Sequence, residues 1–249
     1  MTDQSTKEKP KVGFYTFTCC EGCQFAMLFV DNILELLDQF EIPHFNLLKE
    51  KNVEAELDLA FVEGAITTTT EIEELESIRQ RSRTIVAMGT CACNGGIPAM
   101  KNFVDSKALH KYVYHHKKHP NPVPPAGVGE HVEVDYYLRG CPVIKDELVQ
   151  FLQMFRQGAI PEPYEGVVCS QCPRRTTNCF MKQKTECLGS LTKGGCGALC
   201  TSKGIPCMLC RGPTEGAKIE RAIKLFEKFG LQERDIHDRL NLFMNVEGR

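Results

Sequence analysis

The sequence predicts an α/β protein: a parallel β-sheet with helices on both faces, followed by an irregular cysteine-rich segment and terminal helices. Short apolar runs alternate with helical patterns over the first two thirds of the chain, which is the order of strand–helix units. The pattern stops at "AIPEPYEG" (159–166), whose prolines and glycine are typical of a domain boundary. At 249 residues, the chain is long enough for one sizeable core and a small appended module.

Each element follows from its local pattern. Four apolar runs have the length and the aromatic or β-branched content of strands, and they occupy residues 11–17, 57–64, 84–90 and 132–142. Helical patterns occupy residues 25–40, 67–82, 144–158 and 214–243. The second helix begins with threonines, has glutamates in its first turns and ends with basic residues, as the helix dipole favours. The last pattern is two amphipathic helices separated at Gly230.

These patterns divide the chain into four parts. We expect a disordered lead at residues 1–10, a sheet domain at 11–160, a cysteine-rich domain at 161–213 and C-terminal helices at 214–249. No apolar run approaches the roughly 20 residues that cross a bilayer. The polar N-terminus shows neither a signal-like segment nor a twin-arginine pair. A net charge of −2 gives no general attraction to nucleic acid, so we expect a cytoplasmic protein without stable membrane insertion.

Cysteine is the anomaly of the composition, with fourteen in 249 residues. A reducing compartment disfavours disulfides, which leaves metal binding as the broad explanation. Eight cysteines follow the spacing C-x2-C-x6-C-x7-C-x8-C-x3-C-x6-C-x2-C between Cys169 and Cys210, enough for two four-thiolate sites. Residues 169–212 contain seven Lys/Arg and one acidic residue, a balance that would stabilise a negative iron–sulfur cluster or a negative zinc site. Spacing and charge favour iron–sulfur and leave zinc open.

Most of the other cysteines follow predicted strands. Cys20 and Cys23 come after the first strand, Cys91 after the third and Cys141 after the fourth. Because ligands bind at the carboxyl ends of such strands, we expect these thiols and Glu63 at one edge of the sheet. Four converging thiolates predict a metal or cluster site.

The motifs at these strand ends are "CCEGCQ", "FVEGAI", "GTCACNGG" and "RGCP", and their order resembles the small-subunit family of nickel–iron hydrogenases. The related cluster subunit of respiratory complex I shares part of that pattern. The segments "VVCSQC", "ECLGSLTKGGCGALC" and "GIPCMLCRG" look most like the delta (small) subunit of cytoplasmic hydrogenases of the sulfhydrogenase or NAD(P)-linked type. The resemblance spans about residues 11–245 and rests on the combination of motifs.

The resemblance implies a flavodoxin-like domain with a proximal 4Fe–4S cluster, and two further 4Fe–4S clusters in the C-terminal segment. The implied proximal ligands are Cys20, Cys23, Cys91 and Cys141. The implied distal ligands are Cys169, Cys172, Cys179 and Cys187, and the implied medial ligands are Cys196, Cys200, Cys207 and Cys210. This partition follows the chain order in the wider family, and an interleaved assignment of the eight is the alternative. Glu63 is expected to tune the proximal cluster as a cofactor-binding residue, or else to be a satisfied turn carboxylate.

The function implied is that of the electron-transfer small subunit of a nickel–iron hydrogenase, an oxidoreductase. The large subunit would hold the nickel–iron centre that interconverts H2 with two protons and two electrons, so no catalytic residue is expected here. Electrons would pass through the three clusters to a flavin- or iron–sulfur-containing diaphorase subunit and on to NAD(P) or a similar carrier. Two alternatives are a complex I-like cluster subunit that reduces quinone and a zinc-stabilised interaction module.

Several residues depart from this pattern or lack a role. Cys19 is interpreted as a buried small residue, although tandem cysteines ligate the cluster in the complex I relatives, and Cys93 is the alternative to Cys91. Phe25 stands where many relatives have a glutamate, so a proton-transfer role does not carry over. The run "HHKKH" (115–119) is interpreted as a solvated loop. The sequence has no P-loop lysine motif and no G-x-G-x-x-G after a strand, so nucleotide binding is not predicted.

Overall fold

The computed structural model describes residues 8–112 and 121–244, and its centre is a parallel sheet. The strands are β1 (Lys11–Thr16), β2 (Glu41–Phe45), β3 (Leu57–Glu63), β4 (Ile66–Thr68), β5 (Ser82–Met88), β6 (Pro122–Ala126) and β7 (Tyr136–Leu138). The five-stranded sheet has the order β2-β1-β3-β5-β7, with every neighbouring pair parallel. Counted along the chain, this is the 2-1-3-4-5 order of flavodoxin-like folds. Strands β4 and β6 form a separate antiparallel pair.

Helices connect the strands and continue through the C-terminal part. Those of the sheet region are α1 (Gly22–Leu28), α2 (Ile33–Leu37), α3 (Thr69–Gln80), α4 (Gly89–Asn94), α5 (Ser106–Tyr112) and α6 (Lys145–Arg156). Those that follow are α7 (Val168–Gln171), α8 (Leu199–Ser202), α9 (Ile219–Lys228) and α10 (Glu233–Asn241). Short 3-10 turns lie at Ile97–Phe103, Val128–Glu130, Phe180–Gln183 and Leu188–Ser190.

Side chains alternate between two apolar layers because successive residues of a strand point to opposite faces. On one face, Phe14 stacks on Phe61 with ring centroids 5.1 Å apart, and Phe61 meets Phe151 of α6 edge-on at 5.7 Å. On the other face, Ala60 and Val62 pack with residues of α3. The sheet therefore has helices on both faces, as the sequence predicts.

Some predicted elements are wrong in their extent. The helix expected at residues 25–40 is two helices, because the chain turns between α1 and α2 and Asn32 takes a left-handed conformation with φ 58°. The strand expected at residues 132–142 is confined to β7, since the Asp135 carboxylate accepts the Ile85 N–H at 2.7 Å. Strand β2 was not predicted. The capped start of α3 is confirmed: Thr68 and Glu71 form a reciprocal capping box.

The two C-terminal helices pack on the cysteine-rich segment. Phe226 of α9 and Ile236 of α10 are buried against Leu188 and Leu209, which neighbour cysteines in the sequence. The predicted break at Gly230 is confirmed, with α9 ending and α10 beginning on either side of it. Among residues 8–112 and 121–244, no helix combines the length and apolarity needed to span a bilayer. Residues 1–7, the run at 115–119 and residues 245–249 lie outside the described residues. The four-part division of the chain stays a prediction.

Candidate metal centres at the sheet edge and in the cysteine-rich segment

Three loops that carry cysteines meet at one edge of the sheet, because β1, β5 and β7 run parallel. The loop and first turn after β1 hold residues 19–23, α4 after β5 holds Cys91, and the loop after β7 holds Cys141. The Thr90 N–H donates to the Gly140 carbonyl at 2.8 Å and ties the second of these loops to the third. We call Cys20, Cys23, Cys91 and Cys141 the proximal set.

Glu63, at the end of β3, is buried beneath the proximal set with 2% of its surface exposed. Its carboxylate accepts the N–H groups of Cys23 at 2.9 Å and Gln24 at 3.0 Å. These N–H groups belong to the first turn of α1, where they have no partner within the helix and where negative charge is favourable. Burial raises the pKa of Glu63, and the two hydrogen bonds act against that shift. Glu63 therefore orients the helix that carries Cys23.

Two glycines make room for the proximal thiols. Gly89 has φ +85°, and a Cβ there would lie 2.3 Å from the Cys23 sulfur. Gly96 has φ +53°, and a Cβ there would lie 2.8 Å from the Cys91 sulfur. Only a residue without a side chain satisfies both the backbone conformation and the close approach.

The thiols of the proximal set are desolvated and close enough to influence one another. Burial and then the charge of Cys141 raise the pKa of Cys91 to about 12, with Cys20 acting in the same direction. Burial and then Glu63 raise the pKa of Cys23 far above its usual range. Burial and then Cys20 raise the pKa of Cys141. Since metal ligation requires thiolates, a positively charged metal group is what would stabilise this set.

The two extra cysteines of these loops lie in different surroundings. The Cys19 sulfur accepts the Glu21 N–H at 3.2 Å, and burial and then Glu63 raise the pKa of this thiol to about 12. Cys19 is thus a half-buried fifth thiol beside the proximal set. Cys93 is buried in the apolar layer, where its thiol lies 3.5 Å from the Ala87 carbonyl oxygen. Of the two cysteines in α4, Cys91 is the one beside the other proximal thiols.

The first C-terminal set is Cys169, Cys172, Cys179 and Cys187, around α7 and the turn Phe180–Gln183. Burial raises the pKa of Cys169 to about 11, and the other three thiols of the set raise it in the order Cys187, Cys172, Cys179. Burial also raises the pKa of Cys187, with Cys172 and Cys179 acting in the same direction. These mutual effects group the first four cysteines of the array.

The second C-terminal set is Cys196, Cys200, Cys207 and Cys210, on both sides of α8. Burial, together with the charges of the other three thiols, raises the pKa of Cys210 to about 12. Ala198 and Leu209, which lie between cysteines of this set, have left-handed φ values of 54° and 68°. This conformation costs about 1–2 kcal/mol for a residue with a side chain, so the loops are held in strained shapes around their thiols.

Hydrogen bonds link the three sets. The Thr90 hydroxyl, next to Cys91 of the proximal set, donates to the carbonyl of Cys210 in the second C-terminal set at 2.5 Å. The Cys207 N–H of that set donates to the sulfur of Cys187 in the first C-terminal set at 3.2 Å. The sets are therefore contiguous in the order proximal, second C-terminal, first C-terminal.

One buried guanidinium joins the loops that carry these cysteines. Arg211 follows Cys210 directly, is 6% exposed and forms a bidentate ion pair with Glu147 of α6 at 2.7 and 2.8 Å. It also donates to the carbonyls of Arg139 and Gly194, each at 2.7 Å. Arg139 lies two residues before Cys141, so Arg211 spans from the sheet edge into the cysteine-rich segment.

The residues present fit iron–sulfur clusters better than they fit a site of mixed donors. All fourteen cysteines are free thiols, and the three sets contain sulfur donors alone. The Cys207 N–H donates to the Cys187 sulfur at 3.2 Å, and the backbone N–H groups of Val143 and Ile97 lower the pKa values of Cys23 and Cys91 against the effect of burial. Among the described residues, no three His, Cys, Asp or Glu side chains lie close enough together to hold a single metal ion. A four-iron cluster is larger than one ion.

Known proteins match this fold and sequence over most of the chain. Residues 20–155, more than half of the chain, match the family described as NADH ubiquinone oxidoreductase, 20 Kd subunit. Sulfhydrogenase 2 subunit delta of Pyrococcus furiosus is 33% identical over 239 residues, which cover 94% of this chain and 98% of that protein.

Solved structures show the same architecture. A NAD+-reducing [NiFe]-hydrogenase in its H2-reduced state aligns over 63% of this chain and 97% of its own, with TM-score 0.54 and 26% identity. The Ni-Fe-Se hydrogenase of Desulfomicrobium baculatum aligns over 85% of this chain and 98% of its own, with TM-score 0.60. Its identity is 19%, so this second likeness shows the fold alone.

The parallel sheet and the sequence over most of the chain are shared with known hydrogenase subunits. The chain belongs to the nickel–iron hydrogenase small subunits, within the wider family of the NADH ubiquinone oxidoreductase 20 Kd subunit. The resemblance inferred from the motifs and the flavodoxin-like fold are thereby confirmed.

Sequence reasoning missed the residues that support the cysteines. Gly89 is a single glycine after an apolar run, and its position in "AMGTC" was a signal that a strand ends close to a ligand. Arg211 and Glu147 are 64 residues apart, and nothing in the local pattern pairs them. Gln24 is fully buried and donates to the Thr16 hydroxyl at 2.5 Å, although it stands in a polar stretch.

Proposed function

We propose that this chain carries electrons between a nickel–iron centre in a separate large subunit and an outer redox partner, through three 4Fe–4S clusters. The proximal set would hold the proximal cluster, the second C-terminal set the medial cluster and the first C-terminal set the distal cluster. Clusters of this kind supply one-electron redox chemistry when bound.

The hydrogen bonds between sets carry this proposal. The bonds from the Thr90 hydroxyl to the Cys210 carbonyl and from the Cys207 N–H to the Cys187 sulfur connect the sets in the order in which a relay would use them. The interactions of Cys169 and of Cys210 with the three other thiols of their own sets favour the division of the array into its first four and last four cysteines over an interleaved one. Cys207 interacts with Cys187 as well as with Cys196, and we place it where the two sets adjoin.

The protein's part is to hold the thiols and set their electrostatics. N–H groups that donate to ligand sulfurs stabilise the negative charge on those sulfurs, whereas burial disfavours that charge. Hydrogen bonding and burial together determine the reduction potential of a cluster. Glu63 fixes the start of α1 under the proximal set, and Arg211 fixes the spacing between that set and Cys210.

Exposed apolar side chains beside the proximal set support a large subunit at that edge. Phe25 on α1 and Phe29 just after it are 46% and 72% exposed, and Ile97 and Met100 in the turn after Cys91 are 44% and 43% exposed. Apolar side chains grouped in this way mark an interaction surface.

The outer partner is proposed from the relatives and the thiols. The matched structure is a NAD+-reducing hydrogenase, which supports a flavin- or iron–sulfur-containing diaphorase partner and NAD(P) as carrier. Fourteen free cysteines suit a reducing compartment, so we place the complex in the cytoplasm.

A second candidate is a complex I-like subunit that delivers electrons to quinone, because the matched family is described as an NADH ubiquinone oxidoreductase subunit. That match ends at residue 155, whereas the C-terminal sets begin at Cys169 and are held against the sheet by Arg211. This is why we prefer the hydrogenase relay.

The proposal is tested by co-expressing the chain with a large subunit of the same hydrogenase type and purifying the pair anaerobically. We expect hydrogen gas to bleach the visible iron–sulfur absorbance of the pair and to support benzyl viologen reduction. A pair that contains iron, is not bleached by hydrogen and is oxidised by a quinone would support the second candidate instead.

A further inference from the structure

Basic side chains surround the first C-terminal set. We define the basic face as Arg174, Arg175, Lys182 and Lys184. Arg175, Lys182 and Lys184 are exposed, and no ion pair with a carboxylate joins them to the rest of the described chain. Their charge is therefore available to a partner.

The local charge of this region differs from that of the whole protein. Residues 169–212 contain seven Lys/Arg and one acidic residue, while the whole chain has a net charge of −2. The single acid, Glu186, is neutralised by Arg239 of α10 at 2.6 Å. A positive field is thus concentrated at one part of the surface.

The basic face is held together by contacts within its own loop. The Arg174 guanidinium lies over the Phe180 ring, 4.4 Å from its centroid, and donates to the Asn178 carbonyl at 3.1 Å. The Gln183 amide donates to the Asn178 side-chain oxygen. These contacts bring residues 174–178 against the turn that carries Lys182.

The same loop carries the thiols. The Arg175 N–H donates to the Cys172 carbonyl at 3.2 Å, and the Lys182 N–H donates to the Cys179 carbonyl at 3.0 Å. Residues 176–178, which lie between Cys172 and Cys179, are exposed. No element of the described chain therefore covers this side of the first C-terminal set.

We propose that the basic face docks an acidic redox protein, which exchanges electrons with the first C-terminal set. The inference rests on the proposed function, because it requires a cluster at that set. In each transfer one electron moves from the reduced donor to the oxidised acceptor, the donor losing and the acceptor gaining one unit of negative charge, with no bond formed. Complementary charge raises the rate of association by about 10- to 1,000-fold and loses this effect as salt is added.

A basic surface also suits nucleic acid. The thiols on the same loop favour a redox protein over nucleic acid. A redox protein docked on the basic face would lie next to the cluster with which it exchanges electrons. The nucleic-acid partner is kept as an outcome of the test.

The test uses the full, cluster-loaded chain and two probes of opposite charge. Stopped-flow absorbance follows electron transfer from a reduced, acidic bacterial 2[4Fe–4S] ferredoxin to the oxidised chain, and from the dithionite-reduced, desalted chain to basic cytochrome c. In the R175E/K182E/K184E variant we expect the rate with ferredoxin at low salt to fall at least about ten-fold and the rate with cytochrome c to rise. The K182E/K184E variant keeps Arg175 and should show the same changes in both rates to a smaller degree.

The matched control is K51E/K107E/K111E, which changes the net charge equally at exposed positions of the sheet region. We expect the control to keep both rates within about two-fold of the unmodified chain and to bind as much iron. The difference between the triple variants should disappear at about 0.5 M salt, where the field is screened.

The outcomes separate the two proposals. A chain without iron and sulfide contradicts the proposed function and the docking surface with it. Full iron content, with the basic-face variants equal to the control, overturns the docking surface and leaves the proposed function standing. Loss of binding to a labelled DNA duplex in the basic-face variant, with an unchanged ferredoxin rate, assigns the face to nucleic acid and also overturns it.

Discussion

Removal of the Glu147 carboxylate is expected to loosen the cysteine-rich segment from the sheet. In the Glu147→Ala variant, the buried Arg211 guanidinium keeps the carbonyls of Arg139 and Gly194 and loses its counter-charge. Breaking a buried ion pair from one side costs about 3–5 kcal/mol. The Glu147 side chain is 24% exposed, so water screens the pair and we expect the lower limit, about 3 kcal/mol.

Hydrogen exchange measures this cost where it occurs. The N–H of Lys193 is bonded to Gly212 at 3.0 Å, and that of Thr214 to Leu191 at 2.7 Å, so both report opening of this segment. A loss of about 3 kcal/mol corresponds to more than 100-fold lower protection of these amides.

Two controls define the reasoning. Asp38→Ala removes a surface partner of Lys9, with side chains 85% and 50% exposed, and should cost less than about 1 kcal/mol. The double variant Glu147→Ala/Arg211→Met leaves no buried charge and should lose less protection than the sum of its single variants. The reasoning is refuted if Glu147→Ala lowers amide protection no more than Asp38→Ala does, or if the effects of Glu147→Ala and Arg211→Met add in the double variant. The Glu147–Arg211 ion pair would then not hold the cysteine-rich segment to the sheet.

Four further substitutions test the proximal set. Cys20→Ser should remove about four of twelve irons and abolish hydrogen-dependent dye reduction in the assembled complex, whereas Cys19→Ser should largely preserve both; equal loss in the two would show that the ligand choice is wrong. Glu63→Gln replaces the carboxylate that accepts the N–H groups of the first turn of α1 with a neutral amide. It should lower the free energy of urea unfolding by about 1–3 kcal/mol, and an unchanged unfolding midpoint would contradict the capping role. Gly89→Ala, with its Cβ 2.3 Å from a proximal sulfur, should lose the proximal iron and keep about eight irons, and normal iron content would refute the steric argument.

The sequence predicted those parts of the fold whose pattern is local. Strands β1, β3 and β5 each contain a short apolar run, and their parallel order places the cysteine loops at one edge. Strand β2 escaped prediction because "EIPHF" contains Pro43 and has only two large apolar residues, Ile42 and Phe45. The break between α1 and α2 escaped because the apolar stripe continues through the turn at Asn32.

The candidate site was predicted at the level of its thiols and missed at the level of their support. Cysteine spacing indicates ligands because each pair lies in one loop, so the sets emerge from short stretches of sequence. Glu63 was placed at the site, while its bonds to the start of α1 depend on how β3 and α1 pack. The role of Arg211 depends on a partner in a distant helix, which no periodicity reveals.

The central claim is that the three cysteine sets hold three 4Fe–4S clusters, and metal analysis of the anaerobically purified chain tests it most directly. Iron, acid-labile sulfide and zinc are measured per chain on the same sample. Our account predicts about twelve iron and about twelve sulfide per chain. About two zinc ions per chain with no sulfide would contradict it and would instead identify the C-terminal sets as structural zinc sites.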